Sequence, residues 1–192
     1  MNPEVEAFLA ARRYTRAEVL GGECPVPKEP GIYGWWFRTV PKEMEVSACQ
    51  KQGDLTLLYT GISPKAPPKN GRTPSRQRLR DRIKAHYRGD AYGSTLRLTL
   101  GLLLGLQLRL IGSSDTRMTF GSEAEAFLSE WMDRNALVAW RPCLRPWELE
   151  DTLIAVLDLP LNLRGNEGHP FHPTLTRLRG QARANARKQP RS

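Results

Sequence analysis

The run Gly31-Ile32-Tyr33-Gly34-Trp35-Trp36-Phe37 constrains the fold of this chain more than any other stretch. It is uncharged and rich in the aromatic residues that strands favour, and Pro25, Pro27 and Pro30 punctuate the approach to it. We read it as the first strand. A polar stretch through Gln52-Gly53-Asp54 separates it from Leu55-Thr56-Leu57-Leu58-Tyr59-Thr60, the second strand, which Gly61 ends.

The remaining elements follow from periodicity and end signals. Val5, Phe8 and Leu9 form a helical pattern within residues 1–20 that packs beside the core. Residues 63–75, rich in Pro, Gly and Lys, form a long loop. Ser75 is a plausible N-cap for a helix running through Leu79, Ile83 and Tyr87 and stopping near Gly89. The leucine-rich segment 96–110 fits a strand and a helix alike. We divide it into a helix capped by Ser94 and ending near Gly105, followed by a hairpin of residues 107–111 and 117–120. Ser122 opens another helix with acids in its first turn, residues 136–141 form a strand, and Pro146 starts a helix that ends before Pro160. A chain of 192 residues with 40% hydrophobic content can bury one core. We therefore expect a single domain over residues 1–179, its core at about 30–162, with residues 180–192 as a basic, flexible tail.

The formal net charge of +9 is unevenly distributed. Residues 65–88 hold nine Lys/Arg against the single acid Asp81, and residues 163–192 hold seven against Glu167, so the rest of the chain is net acidic. Two basic segments on an acidic body suit a polyanion laid across one face, because phosphate contacts with counterion release drive sequence-independent nucleic-acid affinity. A solvated loop and a disordered tail give the same counts, and for the tail that is the better reading. Cys24, Cys49 and Cys143 have no paired ligand spacing and read as reduced thiols. No secretory signal is visible, and the apolar run 98–108 is too short to span a bilayer, so the cytoplasm is the default compartment.

Several residues could carry chemistry. Glu150 borders the apolar stripe Leu149, Leu153, Ile154 and Leu157, as a carboxylate facing a cleft should, with Glu148 and Asp151 as competitors. A hard oxygen ligand of this kind suits Mg²⁺, which often takes one protein carboxylate; in isolation an ordinary first-turn acid favoured by the helix dipole is the better reading. Arg82 and His86 share a helix face at spacing i, i+4, where Arg can hold a phosphate oxygen and His can relay a proton. Tyr33 and Tyr59, taken alone, read as packing residues. His169 and His172 raise a second metal site but lack a third ligand, so a structural turn is preferred. Trp35 and Trp36 are candidate base-stacking residues, although paired tryptophans on a strand usually bury at least one ring.

As a set, these residues resemble the GIY-YIG endonuclease superfamily. Gly31-Ile32-Tyr33 matches the first motif and Tyr59-Thr60-Gly61 the second, with Thr for Ile. Leu79-Arg80-Asp81-Arg82-Ile83 looks like the helix with the phosphate-binding arginine, and His86 stands where members carry Tyr or His. Glu150, with Asn162 twelve residues later, resembles the closing motif. The resemblance covers roughly residues 30–162 and looks closest to compact bacterial members. It implies an α/β fold with a small, mainly antiparallel central sheet flanked by helices. It also implies a metal-dependent endonuclease, with DNA favoured over RNA. In that reading Glu150 holds a single Mg²⁺ or Mn²⁺, and Tyr33, with Tyr59 beside it, orients the attacking water or takes its proton. Arg82 and His86 bind the scissile phosphate and assist proton transfer, and Asn162 braces the site. Many members carry Lys directly after the second motif, where this chain has Ile62. Lys65 or Lys69 could substitute, and Lys65, Lys69, Arg72, Arg76 and Arg78 form the expected nucleic-acid grip. The rival is a nucleic-acid-binding module or RNA-directed relative with weak or lost catalysis. Specificity and oligomeric state are not legible.

Overall fold

The computed structural model describes residues 2–41, 44–68, 70, 73, 75–112 and 116–189. Along the chain run α1 (Pro3–Ala10), α2 (Arg16–Leu20), β1 (Gly31–Phe37), β2 (Lys51–Gln52), β3 (Leu55–Ser63), α3 (Leu79–Arg88) and α4 (Thr95–Leu103). They are followed by β4 (Arg109–Leu110), β5 (Met118–Thr119), α5 (Ser122–Asn135), β6 (Ala136–Pro142), α6 (Pro146–Val156) and α7 (His172–Lys188). The architecture is α/β. Four strands form an antiparallel sheet in the order β2-β3-β1-β6, and β4 pairs with β5 in a separate small hairpin. Among the described residues no helix is long and apolar enough to cross a membrane.

The aromatic run becomes β1, flanked by β3 and β6, and all seven of its residues are buried. Side chains alternate along a strand, so β1 feeds two cores. Tyr33, Trp35 and Phe37 join a cluster with Leu79, Ile83 and Tyr87 of α3, Leu96 and Leu100 of α4, and Leu128 and Met132 of α5. Ile32 and Trp36 join a second cluster with Val5 and Phe8 of α1 and Leu149 and Leu153 of α6. Both tryptophans are therefore internal, 0% and 1% exposed, and the base-stacking expectation for Trp35 and Trp36 is corrected: neither ring is open to a base.

Three boundaries differ from the sequence reading. β3 does not stop at Gly61 but continues to Ser63, because the edge of β1 stays available and Gly31 pairs with Ser63. The first helix after the long loop starts at Leu79, not after Ser75. Ser75 accepts only the local N–H of Gln77 at 3.2 Å, whereas the true helix start is tied down by Asp81, which accepts the N–H of Arg78 at 3.3 Å, and by Leu79 N–H donating to the Glu29 carbonyl at 3.0 Å. The segment from Gly180 is not a loose tail: α7 runs to Lys188, seated by the narrow stripe Leu175, Leu178, Ala182 and Ala186.

The two motif glycines have steric reasons. A Cβ on Gly31 would collide with the Arg141 carbonyl oxygen and with Leu79 Cδ1. A Cβ on Gly61 would lie 2.5 Å from the Tyr33 hydroxyl oxygen and 2.7 Å from its Cζ, because the Tyr33 ring crosses β3 at that point. Gly61→Ala is accordingly expected to cost about 1–3 kcal/mol of unfolding free energy through overpacking. Gly168→Ala, whose Cβ meets nothing within 4 Å, is the neutral control. Urea denaturation of the two variants checks this; equal midpoints would remove the argument.

Candidate active site

Tyr33 is the third residue of β1, and Gly61 lets its ring lie across β3 so that the hydroxyl reaches α3. There it meets Nε2 of His86 at 2.8 Å. His86 is fully buried in an aromatic cage: ring centroids of Tyr33, Trp35 and Tyr59 lie 5.4, 5.7 and 6.3 Å away. Its other nitrogen, Nδ1, lies 2.7 Å from the hydroxyl of Ser94, the N-cap of α4. That hydroxyl in turn accepts the N–H of Arg97 at 3.1 Å. The Arg97 guanidinium, 0% exposed, pairs with Glu125 of α5 at 2.7 Å and reaches the His86 carbonyl at 3.4 Å. A continuous buried chain thus runs from Tyr33 through α3 and α4 to α5.

This arrangement corrects one expectation. His86 cannot grip a phosphate, because both ring nitrogens are engaged inside the protein and no part of the residue is exposed. Burial, with the charges of Arg82 and Arg97 adding to it, pushes its pKa well below the usual histidine range. It is a neutral imidazole near neutral pH.

Arg82, one turn earlier on α3, is only partly covered. It donates to the Gly93 carbonyl at 2.9 Å and also reaches the Tyr33 hydroxyl. Burial raises the pKa of Tyr33, the neighbouring Tyr59 adds to this, and Arg82 opposes it, so the phenol is protonated in the resting protein. Tyr59, in the middle of β3, is raised mainly by burial; a hydrogen bond from Thr95 and the charge of Arg82 oppose the rise.

Glu150 enters from α6, held by Leu149 and Leu153 packed on the opposite face of the sheet, and its charge is felt by both tyrosines. Of the three neighbouring acids it is the covered one: Glu148 is exposed and paired with Arg145 at 2.9 Å, and Asp151 is exposed. Burial, aided by the charge of Asp151, pushes Glu150 up to about 7, against the pull of Arg164 and Lys65. The carboxylate makes no hydrogen bond or ion pair with any described residue. Its folded pKa lies above the unfolded 4.5, so the folded state binds the extra proton: the stability it contributes is present below about pH 4.5 and lost as pH rises through about 7. Metal-free Glu150→Gln is therefore expected to be more stable than the parent at pH 8, by on the order of 3 kcal/mol at most, with the gap closing towards pH 4.5. Thermal melts in chelator across that range test this; parallel curves would count against a strained carboxylate.

Asn162 braces rather than faces the site. Beyond β2 no described strand pairs with the outer edge of β3, and the Leu161–Asn162 segment closes it: Leu161 N–H donates to the Leu58 carbonyl at 3.0 Å, Thr60 N–H donates to Asn162 Oδ1 at 2.9 Å, and Asn162 Nδ2 donates to the Thr60 carbonyl at 3.0 Å. Asn166, unassigned from sequence, ties the same loop by donating to the Leu159 carbonyl at 2.9 Å. Ile62 packs against the second apolar cluster, so the missing lysine has no counterpart on that side chain. Lys65 is exposed and close enough for Glu150 to feel its charge, while Arg76 and Arg78 precede α3; Lys69 and Arg72 lie outside the described residues.

The sequence reading missed four contributors: the Arg97–Glu125 pair, the role of Ser94 behind His86, Arg164 beside Glu150, and Arg179 of α7. The charge of Arg179 is felt by Tyr59, and its buried Nε lacks a hydrogen-bond partner among the described residues. Its i, i+4 relation to Arg183 was the available signal. The three cysteines are free, and Cys49 donates to Asp158 at 3.0 Å. Asp158 also bonds His169 at 2.8 Å, so that histidine closes a structural turn, and no cluster of three metal-ligating side chains occurs among the described residues.

No curated protein and no solved structure matches the chain. A family model, the GIY-YIG catalytic domain, matches residues 31–181, from the first residue of β1 into α7. That span holds both tyrosines, Arg82, His86, Glu150 and Asn162 within one antiparallel sheet and its covering helices, and the chain therefore belongs to the GIY-YIG catalytic-domain family of nucleases.

Proposed function

We propose that the chain is a metal-dependent endonuclease that hydrolyses nucleic-acid phosphodiesters, with DNA as its substrate. The observation that carries this reading is convergence. Tyr33, Tyr59, Arg82 and Glu150 come from β1, β3, α3 and α6, yet each tyrosine feels the charges of both Arg82 and Glu150. Glu150 is the residue that would hold Mg²⁺ or Mn²⁺. It fits, because a largely covered carboxylate with no hydrogen bond to a described residue favours a cation, and Mg²⁺ needs few protein ligands since it keeps most of its waters. The ion would supply Lewis-acid stabilisation of the charge that builds on the phosphate oxygens.

The chain's own residues do the rest. Tyr33, fixed by His86 and Arg82, orients the attacking water. Arg82 offers guanidinium N–H groups to the scissile phosphate, where charge-assisted hydrogen bonds strengthen as the transition state forms. Lys65, Arg76, Arg78, Arg164 and Arg179 contribute backbone grip without reading bases. Asn162 keeps the Tyr59 strand in place through Thr60. The test is cleavage of supercoiled plasmid and of labelled RNA in Mg²⁺ or Mn²⁺, comparing the parent with Glu150→Ala. Cleavage of RNA alone would overturn the substrate assignment, and cleavage of neither by the parent would favour a binding module.

A further inference from the structure

The buried chain behind Tyr33 contains one proton more than its two internal links can use. Tyr33, neutral His86 and Ser94 each carry one proton on the linked atoms, and the contacts Tyr33 Oη to Nε2 at 2.8 Å and Nδ1 to Ser94 Oγ at 2.7 Å take up two. The third must point to an outside acceptor, at one end of the chain or the other. At the Ser94 end the described residues offer none: Ser94 is 0% exposed, and among them the only other partner of its hydroxyl is the Arg97 N–H, itself a donor. At the Tyr33 end the residue itself is 1% exposed, but its neighbours Arg82, Tyr59 and Glu150 are all partly exposed, so water reaching them, the Glu150 carboxylate or a substrate oxygen can accept. The surplus proton therefore belongs to Tyr33.

We propose that Ser94 is a positioning residue: its hydroxyl donates to Nδ1 of His86, fixing the Nε2–H tautomer, which donates to the Tyr33 oxygen. His86 in this state does not receive the proton of Tyr33, because Nε2 already carries one and Nδ1 is occupied. Instead Nε2–H and the Arg82 guanidinium both donate to the phenolic oxygen, leaving the Tyr33 proton aimed away from His86, on the side of Tyr59 and Glu150. The surroundings keep the ring neutral: Arg82 and Arg97 are the charges it feels, Glu125 lies behind Arg97, and the remaining neighbours are the rings of Tyr33, Trp35 and Tyr59. The consequence for rate rests on the nuclease reading above, but the tautomer does not.

Long-range ¹H–¹⁵N correlation spectra of ¹⁵N-histidine-labelled protein decide the point. The chain has only three histidines, and His86→Gln identifies the signal in question. The parent is expected to show His86 protonated on Nε2 and bare on Nδ1. Ser94→Ala is expected to admit the Nδ1–H tautomer and to lower cleavage roughly 10- to 100-fold, the usual cost of losing a supporting hydrogen bond behind a reactive group. Ser94→Thr, which keeps the hydroxyl, is expected to restore both. A parent spectrum with the proton on Nδ1, or on both nitrogens, overturns the proposal whatever the variants do. So does a Ser94→Ala protein with unchanged tautomer and unchanged rate. A parent with the expected tautomer that cuts neither DNA nor RNA leaves the assignment of Ser94 standing and brings down the nuclease reading alone.

Discussion

Glu150→Ala is expected to lower Mg²⁺-dependent cleavage by roughly 10³-fold, the rate equivalent of about 4 kcal/mol, a scale set by what a metal ion contributes to charge stabilisation. The alternatives on α6 are weaker on structural grounds. Glu148 spends its carboxylate on Arg145 at 2.9 Å, and Asp151 is exposed. Only Glu150 is covered, lacks a hydrogen bond to any described residue, and lies where both tyrosines feel its charge. Loss of the rate through unfolding is separable, because removing a carboxylate pushed up to about 7 should relieve strain in the metal-free protein at pH 8. The informative pattern is a protein that melts no lower than the parent and yet does not cut. Asp151→Asn is the matched control: it removes a like charge that raises Glu150, so it should retain cleavage and move the acid limb of the pH–rate profile to lower pH. A Glu150→Ala protein that cuts at the parental rate would mean the metal carboxylate lies elsewhere.

The parts of this fold legible in the sequence are those whose local and tertiary demands agree. The run at 31–37 is apolar at every position because β1 is covered on both faces, and residues 136–141 fall within β6 for a similar reason. Gly89 and Ser94 mark a helix end and a helix start because their backbone roles are local. Legibility failed where a long-range partner decided the outcome. Arg97 directly precedes the apolar run 98–108, yet it is 0% exposed because Glu125, 28 residues on, meets it. Nothing in its neighbourhood announces that. α7 was misread because much of its buried stripe is alanine, which carries little hydrophobic signal and packs well only once α4 and β4 are in place. The site divided in the same way. Motif spacing singles out Tyr33, Tyr59, Arg82, His86 and Glu150 as candidates, but burial alone distinguishes Arg82, partly exposed, from His86, closed behind the tyrosine.

The largest effect on stability is expected from Glu125→Ala. One carboxylate closes four donors: Oε2 accepts Nε and Nη2 of Arg97 at 3.1 and 2.7 Å, and Oε1 accepts the N–H groups of Ala91 and Phe120 at 2.8 and 3.2 Å. Among the described residues, truncation leaves a guanidinium with 0% exposure holding only the neutral oxygens of Glu125, Ser129 and His86 and the Met132 sulfur, together with two unpaired N–H groups. Breaking a buried pair from one side costs about 3–5 kcal/mol. In a chain of this length that corresponds to a fall in melting temperature of roughly 10 °C. The exposed i, i+4 pair Arg134–Glu130, at 3.2 Å with both side chains more than half exposed, supplies the contrast: Glu130→Ala should shift stability by about 0.5 kcal/mol or less. The asymmetry within the buried pair is the sharper test. Arg97→Met removes the charge and fills similar space, while Glu125, 13% exposed, keeps its two backbone donors; it should therefore cost less than Glu125→Ala. Equal losses from the two variants would mean that the pair acts as packing rather than as a desolvated charge requiring its partner. If Glu125→Ala proved as mild as Glu130→Ala, the buried chain from α5 to Tyr33 would have no anchor at its far end.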